Sequence, residues 1–491
     1  PAIFSDNMVL QRNKPVVIWG TASPDERVVI KFNGAERETP VNENGKWMIE
    51  LPAMNPGGPY SLTVSGKNIV TLNNVLVGEV WVCSGQSNME LTVAKAANSA
   101  EEISKADFRK IRLFFVQHAT SETLRTDCKG EWKECSPASV ENFSAAGYYF
   151  GRELFKELNV PIGLIQATWG GTAAETWVSK ELLESDSDYK PILDKWIDEV
   201  AKYPEAIKEY EKNKDSLNEE WKADAKRAAE EGRREPRKPQ KPRGPGSQHT
   251  PSGLYNAMLN PIIPYTMQGV IWYQGEANAS RAYQYRKLFP ALIKEWREKW
   301  GLGDFPFYYV QLPNLYTKPE PAKTGWPELR EAQLMTLNVP NTGMAVTIDI
   351  GEAKNLHPLN KQDVGYRLAL IAEAKVYGKK SLVYSGPLYK SMKIEASKVI
   401  LKFEYADDGL LSKGGDTLKG FTIAQDDKKF HPANAVIKGK EILVWNDGVK
   451  NPVSVHYAWS DNPDCNLYNK AMLPASPFRT DDWPEYTLNR K

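Results

Sequence analysis

Val77-Gly78-Glu79-Val80-Trp81-Val82-Cys83 is a near-continuous apolar run that stops at Ser84-Gly85. A strand without polar alternation is buried on both faces, so it predicts a sheet covered by helices on both sides. The sequence after it keeps that rhythm. Helical candidates at 97–107 and 144–158 are followed by a strand at 163–168 and another at 269–273. A helix at 281–300, a strand at 307–312, a helix at 327–338, a strand at 343–349 and a helix at 358–376 complete the series. Such alternation implies an α/β fold with a parallel sheet. Functional residues then belong at the carboxyl ends of the strands, where Ser87, Gly170, Gln274 and the loop before His357 fall.

A chain of 491 residues is too long for one ordinary domain, and its texture divides it. Residues 1–75 read as short strands separated by Asn-Gly, Asn-Pro-Gly-Gly and Ser-Gly-Lys turns, which predicts a small β-sandwich. Residues 76–380 carry the α/β pattern, interrupted at 186–247 by a highly charged segment of helical period. That segment ends in Pro236-Arg237-Lys238-Pro239-Gln240-Lys241-Pro242-Arg243, a stiff linker. It reads either as a solvated helical excursion or as a lid over the site. Residues 381–465 return to short strands, a second β-sandwich, and 466–491 is expected to pack back onto the central unit.

Lys and Arg number 63 against 62 Asp and Glu, leaving a formal charge of +1 and no basic surplus for phosphates. Nucleic acid is therefore not an expected partner. No apolar run reaches the roughly 18 residues of a membrane span. The chain opens at Pro1 without Met, so it reads as a processed product, and a periplasmic or secreted location is expected. Four cysteines show neither CxxC nor zinc spacing. Cys128 and Cys135 are either inert thiols or one disulfide.

Three distant strings carry complementary chemistry: Ser84-Gly85-Gln86-Ser87-Asn88-Met89, Trp272-Tyr273-Gln274-Gly275-Glu276 and Asn355-Leu356-His357-Pro358. Ser87 follows the first strand after a tight Gly85 turn. A helix starting there points free N–H groups at incoming negative charge. The same position also suits a plain N-cap. Gln274 offers a neutral amide at a strand end, and His357 offers a base. Hydroxyl, amide and imidazole are what acyl transfer by serine needs. The other histidines, His118, His249, His431 and His456, read as structural, although His431-Pro432 imitates His357-Pro358.

Taken together, Gly85-Gln86-Ser87-Asn88-Met89, Trp272-Tyr273-Gln274-Gly275-Glu276 and His357-Pro358 resemble the sialate O-acetylesterase family, within the SGNH-type hydrolases. Phe4-Ser5-Asp6-Asn7-Met8-Val9-Leu10-Gln11, Trp169-Gly170-Gly171-Thr172, Asn360-Lys361-Gln362-Asp363-Val364-Gly365 and Asn466-Leu467-Tyr468-Asn469 extend the likeness over nearly the whole chain, the charged insertion excepted. The resemblance implies a flavodoxin-like core flanked by β-domains. It implies removal of O-acetyl groups from sugars through an acetyl-enzyme, without metal or other cofactor. Position by position, it makes Ser87 the nucleophile and His357 the general base. The oxyanion hole would be Ser87, Gly171 (or its neighbour Gly170) and Gln274, with Glu276 a structural acceptor.

One position departs. Many SGNH enzymes place Asp three residues before the histidine, and here that residue is Lys354. A backbone carbonyl, Asn355, Glu352 or Asp349 orients His357, or the pair acts as a dyad. The resemblance implies an O-acetylated sugar as substrate, sialate first, with acetylxylan or another plant polysaccharide as the alternative. An arginine in the pocket, from Arg281, Arg286 or Arg330, would favour sialate. Aromatic faces such as Trp169, Trp177, Trp272 and Tyr283 would stack on sugar rings. The alternative from another class is a carbohydrate-binding protein with an inactive hydrolase core.

Overall fold

The computed structural model describes residues 1–231, 233, 236, 238–316 and 324–490. Its central element is a 17-residue strand, β1 (Ile69–Gly85). The first part of β1 is exposed and pairs antiparallel with Gly57–Ser65. From Val75 onward every residue is buried, as the apolar run predicts.

Around β1 lie β2 (Phe108–Phe115), β3 (Trp132–Cys135), β4 (Ile162–Thr168), β5 (Gly269–Tyr273), β6 (Phe307–Val310) and β7 (Thr342–Ala345). Their order is β7-β6-β5-β1-β4-β2-β3, parallel throughout except for the β2–β3 pair. The chain runs to one side of β1 for β2 to β4 and to the other for β5 to β7. A crevice at the carboxyl end of β1 follows from that reversal. Register aligns Gly85 with Thr168 on one side and with Tyr273 on the other, so three strand ends form one rim.

Side chains of β1 alternate between two cores. Trp81 and Cys83 face one layer with Tyr148, Phe150, Leu154, Leu368 and Ile371. Val80 and Val82 face the other with Trp272, Phe289, Leu292 and Trp296. The first layer is built by α2 (Ala145–Leu158) and α6 (Lys361–Lys375), while the short α1 (Ser87–Glu90) belongs to the site described below. The second uses α4 (Ala282–Trp300) and α5 (Trp326–Met335).

Between them the charged insertion forms α3 (Lys190–Glu230), 41 residues long, of which only Ile192 and Ala228 are buried. Of the proline-rich stretch after it, Arg237 lies outside the described residues. Beyond residue 381, two four-stranded antiparallel sheets enclose Val399, Leu401, Ile423, Ile442 and Val444. The tail adds Phe478–Arg479 to one of them and offers the Tyr486 and Thr487 amides to Glu328 of α5.

Three features depart from the expectations. Strands β2 and β3 fill a stretch left unassigned; in β2, Arg109, Lys110 and Arg112 interrupt the apolar residues, a weak apolar signal. The strand expected at 343–349 ends at Ala345. Cys128 and Cys135 are free thiols, which decides the disulfide question. Among the described residues no helix is long and apolar enough to cross a membrane.

Candidate active site

The turn after β1 depends on glycine. Gly85 has φ +139°, and a Cβ there would stand 2.2 Å from the Tyr273 carbonyl oxygen. Only glycine lets the ends of β1 and β5 come this close. Gln86 stitches the two ends: its N–H donates to the Tyr273 carbonyl at 3.0 Å. Its Oε1 accepts from the amides of Ala277 (3.2 Å) and Gly275 (3.4 Å). Ser87 then opens α1, half-buried, at the rim of the sheet.

The imidazole of His357 comes to this hydroxyl, with Nε2 at 2.9 Å from Ser87 Oγ. Residues 270 apart in sequence are thus in hydrogen-bond contact. The loop carrying His357 is braced from below. Glu352 accepts from the Leu359 amide (2.7 Å) and from Asn355 Nδ2 (3.1 Å), and Asn355 Oδ1 accepts from the His357 amide (3.0 Å). Asp349 is engaged elsewhere, by Arg367 at 2.6 and 2.8 Å and by the Tyr468 hydroxyl at 3.0 Å. Among the described residues no carboxylate hydrogen-bonds the His357 ring. Burial lowers the imidazole's pKa, Lys361 and Lys95 lower it further, and Glu90 opposes them.

The third side of the crevice is the Trp169–Thr172 turn. The Trp169 amide donates to the Gly85 carbonyl at 3.2 Å. A Cβ on Gly170 would lie 3.4 Å from Ser87 Cβ, so its backbone rests against the nucleophile candidate. Gly171 follows at φ +74°, turning the chain in the left-handed region. Gln248 Nε2 holds the Gly170 carbonyl at 3.3 Å.

Gln274 departs from the expectation of a free donor at the rim. It is fully buried, with Nε2 donating to Asn278 Oδ1 (2.6 Å) and to the Thr172 carbonyl (3.3 Å). Its Oε1 accepts from the Tyr285 hydroxyl at 3.0 Å. Both donor hydrogens of the amide are engaged, so Gln274 braces the glycine turn rather than facing the crevice. Glu276 is the acceptor expected of it, taking a 2.6 Å hydrogen bond from Asn88 Nδ2.

The remaining candidates scatter. Trp177 and Trp272 are fully buried core residues, not pocket walls. Trp169 is half-buried and stacks flat on His118, with centroids 4.4 Å apart. His118 in turn pairs with Glu90 at 2.8 Å. Tyr283 lies on the surface beneath Arg286. Arg286 is taken by Glu331 and Glu485, and Arg330 donates to the carbonyls of Leu312, Pro313, Ser460 and Asp461. Arg281 pairs with Glu175 and lines a pocket with Arg243, Lys195 and His249, beneath the start of α3. His249 is pushed down to about 4 by burial and by Arg243. His431 is exposed, on a strand pairing with Ile423.

With that geometry in place, the chain can be set beside known proteins. The carbohydrate esterase, sialic acid-specific acetylesterase family matches residues 77–236 and 246–371, which takes in Ser87, Gly171, Gln274 and His357. This chain belongs to that family. The sialate O-acetylesterase of Mus musculus is 33% identical, over 97% of this chain and 93% of its own. The human one is 31% identical over 99% and 94%. A solved structure of a carbohydrate acetylesterase from Xanthomonas citri superposes with a TM-score of 0.82 at 36% identity, covering 98% of this chain and 99% of that one. As a member of the family, the protein is a carboxylic ester hydrolase acting on carbohydrate O-acetyl groups.

Proposed function

We propose that Ser87 is the nucleophile and His357 the general base of a two-step deacetylation of sialic acid esters, on an SGNH-type core. The 2.9 Å contact between Ser87 Oγ and His357 Nε2 at the carboxyl rim of the sheet carries this reading. With β2 and β3 set aside, the strand order β4-β1-β5-β6-β7 is the flavodoxin-like 2-1-3-4-5, which supports the assignment of the core. The β-rich segments at 1–75 and 381–465 serve in this reading as flanking scaffolds.

In the first step His357 Nε2 takes the Ser87 hydroxyl proton as Oγ bonds to the acetyl carbonyl carbon. The carbonyl electrons move onto oxygen, where the backbone N–H groups of Ser87 and Gly171 receive the charge. Collapse breaks the bond to the sugar oxygen, which leaves with the proton from His357. Water then repeats the sequence on the acetyl-enzyme and releases acetate. Gln274 contributes by holding Thr172 and, with it, the glycine turn.

The pocket lined by Arg243, Arg281, Lys195 and His249 also holds Glu175 and Glu199, paired with Arg281 and Lys195, and the surplus charge of Arg243 supports an acidic sugar over xylan. Gln248, beside His249, holds the Gly170 carbonyl, which links this pocket to the turn that touches Ser87. Arg243 makes no ion pair among the described residues, so its charge is open to a ligand carboxylate. Export from the cell belongs to the same reading, since O-acetylated glycans are met outside it. The test is acetate release from O-acetylated sialoglycan and from acetylated xylan, side by side, for wild type and Ser87→Ala. The expected result is preference for the sialoglycan, and loss of both activities by about 10⁴-fold or more in the variant. Full activity in Ser87→Ala would sink the scheme.

A further inference from the structure

His357 hangs between two peptide carbonyls, Leu356 and Pro358, and each is gripped by a buried side chain. Asn88 Nδ2 donates to the Leu356 carbonyl at 3.0 Å, and Lys361 Nζ donates to the Pro358 carbonyl at 2.8 Å. The two grips are joined, because Lys361 Nζ also donates to Asn88 Oδ1 at 2.7 Å. Asn88 then continues to Glu276 at 2.6 Å. Asn88 is the residue after Ser87. The segment bearing the hydroxyl and the segment bearing the imidazole are therefore locked to one another beneath the reacting atoms.

Lys361 is an unusual residue to find there. It is 1% exposed, with its ammonium 5.1 Å from the centre of the Tyr273 ring. A buried cation is costly to desolvate, and this one is held by the Asn88 and Pro358 oxygens. Its hydrogen bonds tie the histidine loop to the segment after Ser87.

We propose that Lys361 is a positioning residue that fixes the His357 loop through Pro358 and biases the imidazole toward its neutral, proton-accepting form. This inference rests on the reading of Ser87 and His357 given above. In a carboxylate-bearing triad the aspartate holds the ring from its far side and favours the imidazolium. Here the hold is on the backbone, and the group that makes it is a buried cation.

The charged groups around the ring fit that bias. Lys361 and Lys95 both disfavour a second positive charge on His357, and Glu90 partly offsets them. Glu276 and Glu352 face Lys361 from the β5 loop and from the histidine's own loop. Lys354 is also on that loop, Asp349 is neutralised by Arg367, and His118 is paired with Glu90. Burial lowers the Lys361 pKa to about 7, against the pull of Glu276 and Glu352. It is thus charged throughout the acid range in which His357 gains its proton.

The experiment is the pH profile of kcat/KM with 4-nitrophenyl acetate for wild type, Lys361→Met and Lys361→Arg, each checked for wild-type circular dichroism. Wild type should lose activity only below the ordinary imidazole range. Lys361→Met should lose about 10²-fold in kcat through misplacement of the base, and its acid limb should move to higher pH. Lys361→Arg keeps the charge, so its kcat falls while the acid limb stays. A folded Lys361→Met with the wild-type profile overturns the proposal. If it does not fold, Lys361→Gln takes its place, and failure of both to fold assigns the lysine to stability and also overturns it. Activity retained in Ser87→Ala would instead remove the underlying reading.

Discussion

Two histidine clusters in this protein have similar components and opposite prospects. His357 meets a serine hydroxyl at 2.9 Å, and no carboxylate touches its ring among the described residues. His456 has the carboxylate: Asp481 Oδ2 lies 2.7 Å from its Nε2 and accepts the Ser454 hydroxyl at 2.6 Å. The second set has all three members of a triad by composition. Its serine, however, donates to the aspartate and not to the histidine, so the imidazole is not placed to take that proton. Ser454 is fully buried within the strand Ser454–Tyr457. Ser87 instead stands half-buried where a strand ends and a helix begins. In the proposed mechanism the difference lies in where the hydroxyl sits on the fold: Asp481 does not bring Ser454 to His456, and among the described residues no carboxylate hydrogen-bonds the His357 ring.

That contrast is sharpest in a pair of alanine variants. His357→Ala should lower kcat by about 10⁴- to 10⁶-fold, since among the described residues no other side chain hydrogen-bonds the Ser87 hydroxyl. An activity within tenfold of wild type would erase the distinction between the clusters. His456→Ala should leave kcat within about twofold, because no step uses it. Its cost falls on stability. Burial raises the Asp481 pKa, but hydrogen bonds from His456 and Ser454 outweigh that and bring it to about 2. Removing one of those donors from a buried carboxylate costs about 1–3 kcal/mol, read as a lower thermal midpoint with unchanged ester turnover. Loss of turnover with an unchanged midpoint would reverse the assignment.

The sequence made the first cluster legible and the second invisible, for a physical reason. Ser87, Gln274 and His357 each follow an apolar strand or precede a helix, so their placement on one rim follows from the alternation of elements. His456 and Asp481 meet only because the tail strand Phe478–Arg479 returns to pair with Ser454–Tyr457, a long-range register that no local pattern encodes. The same limit explains Gln274. Its position at a strand end was readable, but the engagement of its amide by Thr172 and Asn278 depends on loops from elsewhere in the chain. Strand β2 escaped because its three basic residues break the apolar run. Lys361 lay in a string that resembled the family, yet nothing in one dimension shows that it is buried against Asn88.

A third histidine extends the comparison to binding. His249 is held neutral over most of the pH range, pushed to about 4 by burial and by the Arg243 guanidinium. It therefore supplies neither a base for Ser87 nor a charge, and in its pocket the attraction for an anion rests on the arginines and Lys195. Arg281 is already committed to Glu175, and Lys195 lies 4.0 Å from Glu199. Arg243 is left as the group whose charge a sugar carboxylate can use. Arg243 is exposed, so solvent screens the interaction and the effect is modest. Arg243→Gln should raise KM for O-acetylated sialate about three- to tenfold, with KM for 4-nitrophenyl acetate and kcat for both unchanged. An equal rise for the neutral ester would mean that the pocket shapes the crevice without reading charge, and no change for either would place the carboxylate elsewhere.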